Sequence, residues 1–192
     1  GKYRLGLSLL TLSGVVQSTL EIAREAMDTL ERLVDTLQET AHVSILEKAN
    51  VTYLCKVDCK HPVRLMSHVG RLNPACCTSS GKVLLAELEE AEVRELYADG
   101  LPVMGPNCVK TIGELLEQLR IVREQGHAVC IDEMHEDSVS VGAPIRDFTG
   151  RVIASVSVVG PRSRVTPERI PEFARAVMDA GKEISRRLGM RW

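Results

Sequence analysis

"SVSVGAPIRDFTGRVIASVSVVGP", residues 138–161, alternates small polar and apolar side chains on both sides of the turn "DFTG" at 147–150. Such alternation marks two strands with one buried face, joined as a hairpin. Placing Ile145 opposite Val152 sets Val139 against Val158, Val141 against Val156 and Ala143 against Ala154, all apolar. The other face then pairs Ser140 with Ser157, Gly142 with Ser155 and Ser138 with Val159. A one-residue slip would mix the faces, so the alternation specifies them well; a bulge at Gly150 is the feature that would shift the pairing. The apolar face needs a helix packed on it. The hydroxylated face reads either as an exposed sheet surface or as a low floor on which a small ligand rests, hydrogen-bonded by Ser140 and Ser157.

The segments around this hairpin supply the cover. In "STLEIAREAMDTLERLVDTLQE", 18–39, Ala23, Ala26, Met27, Leu30, Leu33, Val34 and Leu37 recur at three- and four-residue steps, one stripe of an amphipathic helix. Ser18 and Glu21 have the spacing of a capping box at its start. The period then changes. "AHVSILE" (41–47) and "VTYLCKV" (51–57), separated by a polar turn, read as a hairpin, and "VRLMSHV" (63–69) as a third strand. Residues 79–99 are helical in two pieces, and 100–108 form a Gly/Pro loop. Thr111 and Glu114 cap a helix that stops at Gly126, and "HAVCIDE" (127–133) adds another strand. Thr166 and Pro167 suit the start of the last helix, which Pro171 would kink or delay. The sum is an α+β domain: a central antiparallel sheet of about six strands packed between long N- and C-terminal helices.

The 192 residues suffice for one domain with a sizeable core. Net charge is −2, and the aromatics are only one Trp, three Tyr and two Phe. A basic stripe with stacking aromatics, the footprint of nucleic-acid binding, is missing, so this segment by itself is expected to bind DNA poorly. No apolar run approaches the length of a membrane span. Six cysteines without a compact framework suit free thiols in a reducing cytoplasm.

"NPACCTSSGKVLLAEL", 73–88, holds the densest chemistry. A phosphate loop would need glycine where Cys76 stands and Ser or Thr where Val83 stands. Cys76, Cys77 or Ser79 as a nucleophile would need a base, and no spacing ties His42, His61, His68, His127 or His135 to them. Cys55, Cys59 and His61 share strand parity and form a weak metal-ligand set without the paired cysteines of a zinc finger. A helix start fits best, with Thr78 or Ser79 as N-cap; it is either an ordinary capped helix or an anion-binding end at Ser79 and Ser80.

Five stretches in order, "YRLG" (3–6), "NPACCTSSGKVLLAEL" (73–88), "REQGHAVCIDE" (123–133), the hairpin at 138–161 and "TPERIPEFARAVMDAGKEIS" (166–185), resemble the effector-binding domain of IclR-type bacterial transcription regulators. The resemblance implies a GAF-like fold. It also implies a winged helix-turn-helix preceding this chain, with 1–17 as the end of a linker and 18–192 as the effector-binding domain. A small effector, often a carboxylate, would sit over the sheet against Ser79, Ser80, Cys130, Ser140 and Ser157. The expected partners are that effector, a homodimer or tetramer, and promoter DNA through the N-terminal domain. No catalytic residue, cofactor or membrane contact is expected, and the location is cytoplasmic. Two positions depart from the pattern: Cys130 stands where the family usually has aspartate, and Cys76 where it often has histidine. The alternatives are a metal- or thiol-based sensor, or a small cysteine or serine enzyme.

Overall fold

The computed structural model describes residues 8–190; "YRLG" at 3–6 lies outside them. The chain forms α1 (Ser8–Leu37), β1 (Thr40–Glu47), β2 (Asn50–Val57), β3 (Leu72–Pro74), a single 3-10 turn (Ala75–Cys77), α2 (Ser79–Leu85), α3 (Glu90–Leu96), α4 (Ile112–Gln125), β4 (Ala128–Ile131), β5 (Ser138–Arg146), β6 (Val152–Pro161) and α5 (Ile170–Arg187). The six strands make one sheet in the order β3-β2-β1-β6-β5-β4, with every neighbouring pair antiparallel.

Strand alternation divides the protein into two cores. On one face Val139, Val141, Ala143, Ile145, Ala154, Val156 and Val158 meet Ala26, Leu30, Leu33 and Val34 of α1 and Phe173, Val177 and Ile184 of α5. On the other face α2 lies against the sheet, its residues all buried, with α4 behind it through Leu115 and Leu119. The expected apolar and hydroxylated faces of the last hairpin are therefore the observed ones.

The hairpin register differs from the expectation by two residues. Val141 pairs with Val158, Ala143 with Val156 and Ile145 with Ala154, so Ser157 stands opposite Gly142, and Ser140 opposite Val159. An irregularity between Ile145 and Arg146 absorbs the offset. Asp147 accepts from the amides of Thr149 and Arg151, and the turn closes one step wider than assumed. A two-residue slip keeps side-chain parity, so both faces survived while every cross-strand partner changed.

Three further expectations need correction. Ser18 does not cap α1, which starts at Ser8 and carries Ser18 inside it. Residues 63–69 are not a strand; Val63, Met66 and Val69 point to solvent, and the third strand is the short segment Leu72–Pro74 beside β2. The alternation at 63–69 belongs to a strap that crosses the sheet face, pinned where Lys56 Nζ donates to Ser67 O at 2.8 Å. The last helix starts at Ile170 and not at Thr166 and Pro167; Pro171 stands in its first turn, in line with the delay expected of it.

α2 seats closely at two positions that lack a Cβ, against the sheet at Gly142 and against the preceding 3-10 turn at Gly81. A Cβ on Gly142 would stand 3.0 Å from Ser79 C and 3.1 Å from Ser80 N, and one on Gly81 would stand 2.1 Å from Ala75 O. Gly81→Ala is expected to cost more than about 2 kcal/mol, because backbone must move. In Gly142→Ala the contact is looser and the cost is about 1 kcal/mol. Gly113→Ala in α4, where a Cβ meets nothing nearer than 4.0 Å, should be neutral or gain up to about 1 kcal/mol. Urea unfolding of the three variants checks this order.

Candidate functional site

Between the start of α2 and the sheet lies a cavity of about 60 Å³. Ser140, Ser157 and Cys130 line its floor, and Ser79 and Ser80 line its wall. The five residues singled out in the sequence thus come together from three separate segments. Thr78 caps the helix, its Oγ1 accepting from the Gly81 amide at 3.1 Å. Ser80 Oγ donates to Ser157 Oγ at 2.8 Å, tying the helix start to β6. Ser79 is 1% exposed, and its hydroxyl has no partner. A buried hydroxyl left without a hydrogen bond costs about 1–3 kcal/mol, so this group calls for a ligand or water.

A buried ion pair adjoins the cavity, with Glu133 among the lining residues. Lys82 Nζ meets Glu133 Oε2, with side-chain exposures of 2% and 7%. Burial lowers the Lys82 pKa, but the Glu133 carboxylate paired with it outweighs that and keeps it above its ordinary value, so the ammonium stays charged. Burial pushes the Cys130 thiol up, so it stays neutral. A phosphate loop needs its lysine free; here Glu133 occupies it.

Sequence reasoning missed much of the wall. His42, Tyr53, Ser67, Arg71, Asn73 and Glu133 also line the cavity. His42 stacks on Tyr53 with ring centroids 4.4 Å apart, and its Nε2 lies 2.6 Å from Ser67 Oγ in the strap. His42, Ser140 and Ser157 share one sheet face, and carrying the hairpin parity across to β1 would have found His42. Nothing local signals Arg71, which the strap delivers from outside the sheet. Arg71 belongs to no ion pair among the described residues.

The alternative chemistries lack their geometry. Cys55 and Cys59 belong to the core under α1, and no group of three His, Cys, Asp or Glu side chains among the described residues could hold a metal ion. Cys76 and Cys77 lie in the second core as free thiols; Cys76 N donates to Tyr97 Oη, and the sulfurs contact each other, Cys108 Sγ and Pro102 O, with no histidine among those partners.

The site and fold together invite comparison with known proteins. The family model for the bacterial transcriptional regulator IclR C-terminal domain matches residues 14–186. The chain belongs to this IclR C-terminal family. The transcriptional regulator KdgR of Dickeya chrysanthemi is 32% identical over 191 residues, which are 98% of this chain and 62% of that protein. KdgR of Escherichia coli is 30% identical, over 98% of this chain and 72% of its own length. This chain therefore spans less than two thirds of the Dickeya relative. The crystal structure of the C-terminal domain of E. coli KdgR superposes with a TM-score of 0.77 at 30% identity, covering 88% of this chain and 98% of that domain. The Thermotoga maritima IclR structure gives 0.82 at 28% identity, covering 96% and 75%. The fold is the GAF-like α+β fold of IclR C-terminal domains.

Two outcomes follow from the electrostatics. Lys82→Met should destabilise the domain by about 3–5 kcal/mol, since it leaves Glu133 buried without a counter-charge, while Lys82→Met with Glu133→Leu should recover most of that loss. Equilibrium urea unfolding of single and double variants measures the difference. Burial, and then the Lys56 cation, lower His42 from 6.5 to about 4. The unfolded chain takes up that proton near pH 6.5 and the folded one does not, so stability falls as pH drops from about 6.5 to about 4. The share due to His42 is about 3 kcal/mol. It should vanish in His42→Gln when the two proteins are unfolded at pH 7 and at pH 4.

Proposed function

We propose that this chain is the effector-binding and oligomerising domain of a cytoplasmic transcription regulator, and that its effector is a small organic acid bound over the sheet. The unpartnered Ser79 hydroxyl, buried in a cavity rimmed by the unpaired cation of Arg71, is the observation that carries this reading. Arg71 supplies the charge for a carboxylate, and the serines and Asn73 supply hydrogen bonds to its oxygens and hydroxyls. The neutral Cys130 thiol makes the floor a poor acceptor, which disfavours effectors that need a strong acceptor there. Relatives named as HTH-type transcriptional regulators and repressors support the regulatory role. On this reading residues 18–192 are the sensing unit, 1–17 lead into a DNA-binding domain, and promoter DNA is contacted only through that domain. An IclR homologue complexed with 4-hydroxybenzoate shares the fold at 24% identity; the ligand class proposed here rests on this chain's own residues.

The cavity has room for only a few water molecules, far below the roughly 300–1,000 Å³ of sites that take drug-sized ligands. Binding therefore displaces Leu65 and Met66 of the strap, which close the top. The effector then favours the arrangement with the strap displaced, and this difference in affinity between two arrangements is what lets it signal.

A thermal-shift screen of small aliphatic and aromatic carboxylates should yield an acid that raises Tm. Ser79→Ala, which removes the hydroxyl without adding volume, should weaken binding roughly 5- to 10-fold, and Arg71→Met roughly 10- to 100-fold. An acid that binds Ser79→Ala with unchanged Kd removes the Ser79 hydroxyl from the site.

A further inference from the structure

A row of three thiols stands behind the cavity wall. Cys77 Sγ lies 2.7 Å from Cys108 Sγ and 3.6 Å from Cys76 Sγ. All three are buried. Two sulfurs at 2.7 Å are closer than ordinary van der Waals contact, and a disulfide needs about 2.0 Å, so sulfur movement of less than an ångström would join them. Cys77 and Cys108 also both approach Pro102 O, at 3.8 and 3.4 Å, so one backbone group aligns them.

Their position in the fold gives this contact a consequence. Cys77 lines the cavity and directly precedes the N-cap Thr78. Cys108 sits in the loop between α3 and α4. That loop also braces the turn carrying Glu133: the Gly105 amide donates to Glu133 O at 2.8 Å, and the Asn107 amide to Asp132 O at 3.1 Å. A bond between the two sulfurs would fasten the helix start on one side of the cavity to the turn on the other.

We propose that Cys77 and Cys108 are an oxidation site, closed to a disulfide by a peroxide that reaches Cys77 through the cavity. The Cys77 sulfur attacks one peroxide oxygen, the O–O bond breaks, and the departing hydroxide leaves as water with the Cys77 proton. The resulting sulfenic acid is attacked by the Cys108 sulfur. Its S–O bond breaks, and a second water leaves with the Cys108 proton. The two thiols lose two electrons to the peroxide, and nothing else is consumed. The hydrogen bond to Cys76 and burial hold Cys77 as the protonated thiol, which makes the reaction slow at neutral pH and faster as pH rises. Disulfides of reducing compartments are usually transient and redox-sensing, which suits a bond of this kind. Only the reducing compartment rests on the function proposed above; the bond itself does not.

The experiment treats the 192-residue chain with hydrogen peroxide, alkylates the remaining thiols and maps the unreduced digest by mass spectrometry. The expected product is a Cys77–Cys108 peptide pair two hydrogens lighter than its parts, with four of the six thiols still free, six less two. Tm should rise by several degrees and return with dithiothreitol, because the bond closes a loop of about thirty residues. Cys108→Ser should show neither the link nor the rise; mapping of the unsubstituted chain decides the matter if that variant does not fold. Six free thiols after treatment, a Cys76–Cys77 bond, or Cys77 oxidised to sulfinic acid without a link would each overturn the proposal. No acid ligand is needed for this mapping, and no disulfide for the carboxylate screen, so the two readings fail separately.

Discussion

The start of α2 rests on the sheet with no side chain between them at Gly142, and Gly81 lets the same helix close on the preceding turn at Ala75. This approach sets most of what lies around the cavity. It brings Ser80 within hydrogen-bonding distance of Ser157. It also buries Ser79 with no partner, because the sheet beneath offers only small groups there. And it drives Lys82, one turn further along, into the interior, where an ammonium cannot remain without an anion. Glu133 answers that demand, and the loop at 105–108 holds Glu133 in place. The polar groups of the site are thus consequences of one steric allowance.

The same constraint gives Cys130 a physical reading. Its register partner is Ser140, on the cavity floor, and it lies beside both Lys82 and Glu133. One buried cation already balances one carboxylate. An aspartate at this position, as the family resemblance leads one to expect, would put a second anion against the same lysine, and like charges that close push each other toward protonation. A thiol keeps the local charge even. The departure at Cys130 is therefore consistent with Lys82 and Glu133 forming a closed pair here.

Much of this was legible before the structure, for reasons that differ by element. The faces of β5 and β6 followed from parity, which two-residue slips preserve, whereas the partners depended on turn geometry that the letters "DFTG" leave open. The capping box of Thr111 and Glu114 is a local rule and held, with both reciprocal bonds present. Ser18 and Glu21 satisfy the same rule and failed, because the helix continues through them back to Ser8. The strap at 63–69 imitates a strand because Val63, Leu65 and Val69 share one parity, yet Val63 and Val69 are exposed and the buried residue of that set is Ser67. Ser79, Ser80, Cys130, Ser140 and Ser157 could be brought together on a shared face and a helix start. Arg71 and Asn73 could not, since no periodicity governs a strap and a three-residue edge strand, and Tyr53 could not because the irregularity between Val43 and Ser44 breaks the parity between β1 and β2.

Those two groups of residues differ in what holds them, and the difference bears on how a ligand could reach the cavity. The α2 side is clamped by close backbone contact, a buried ion pair and the second core, so moving it disturbs the whole face. The strap is held to the sheet by fewer groups: Ser67 to His42 and Lys56, Lys56 and Arg64 to Asp58, and the Gly70 amide to Tyr53 O. Its apolar side chains Val63, Met66 and Val69 are already exposed, so lifting it newly exposes chiefly the half-buried Leu65. The His42 bond is between neutral groups, since burial keeps the imidazole uncharged, and such bonds are worth about 1 kcal/mol each. Displacing the strap therefore costs far less than displacing α2. A carboxylate that pairs with Arg71 draws on the strap's own end, and the free energy of that contact acts on the part of the wall that is easiest to move.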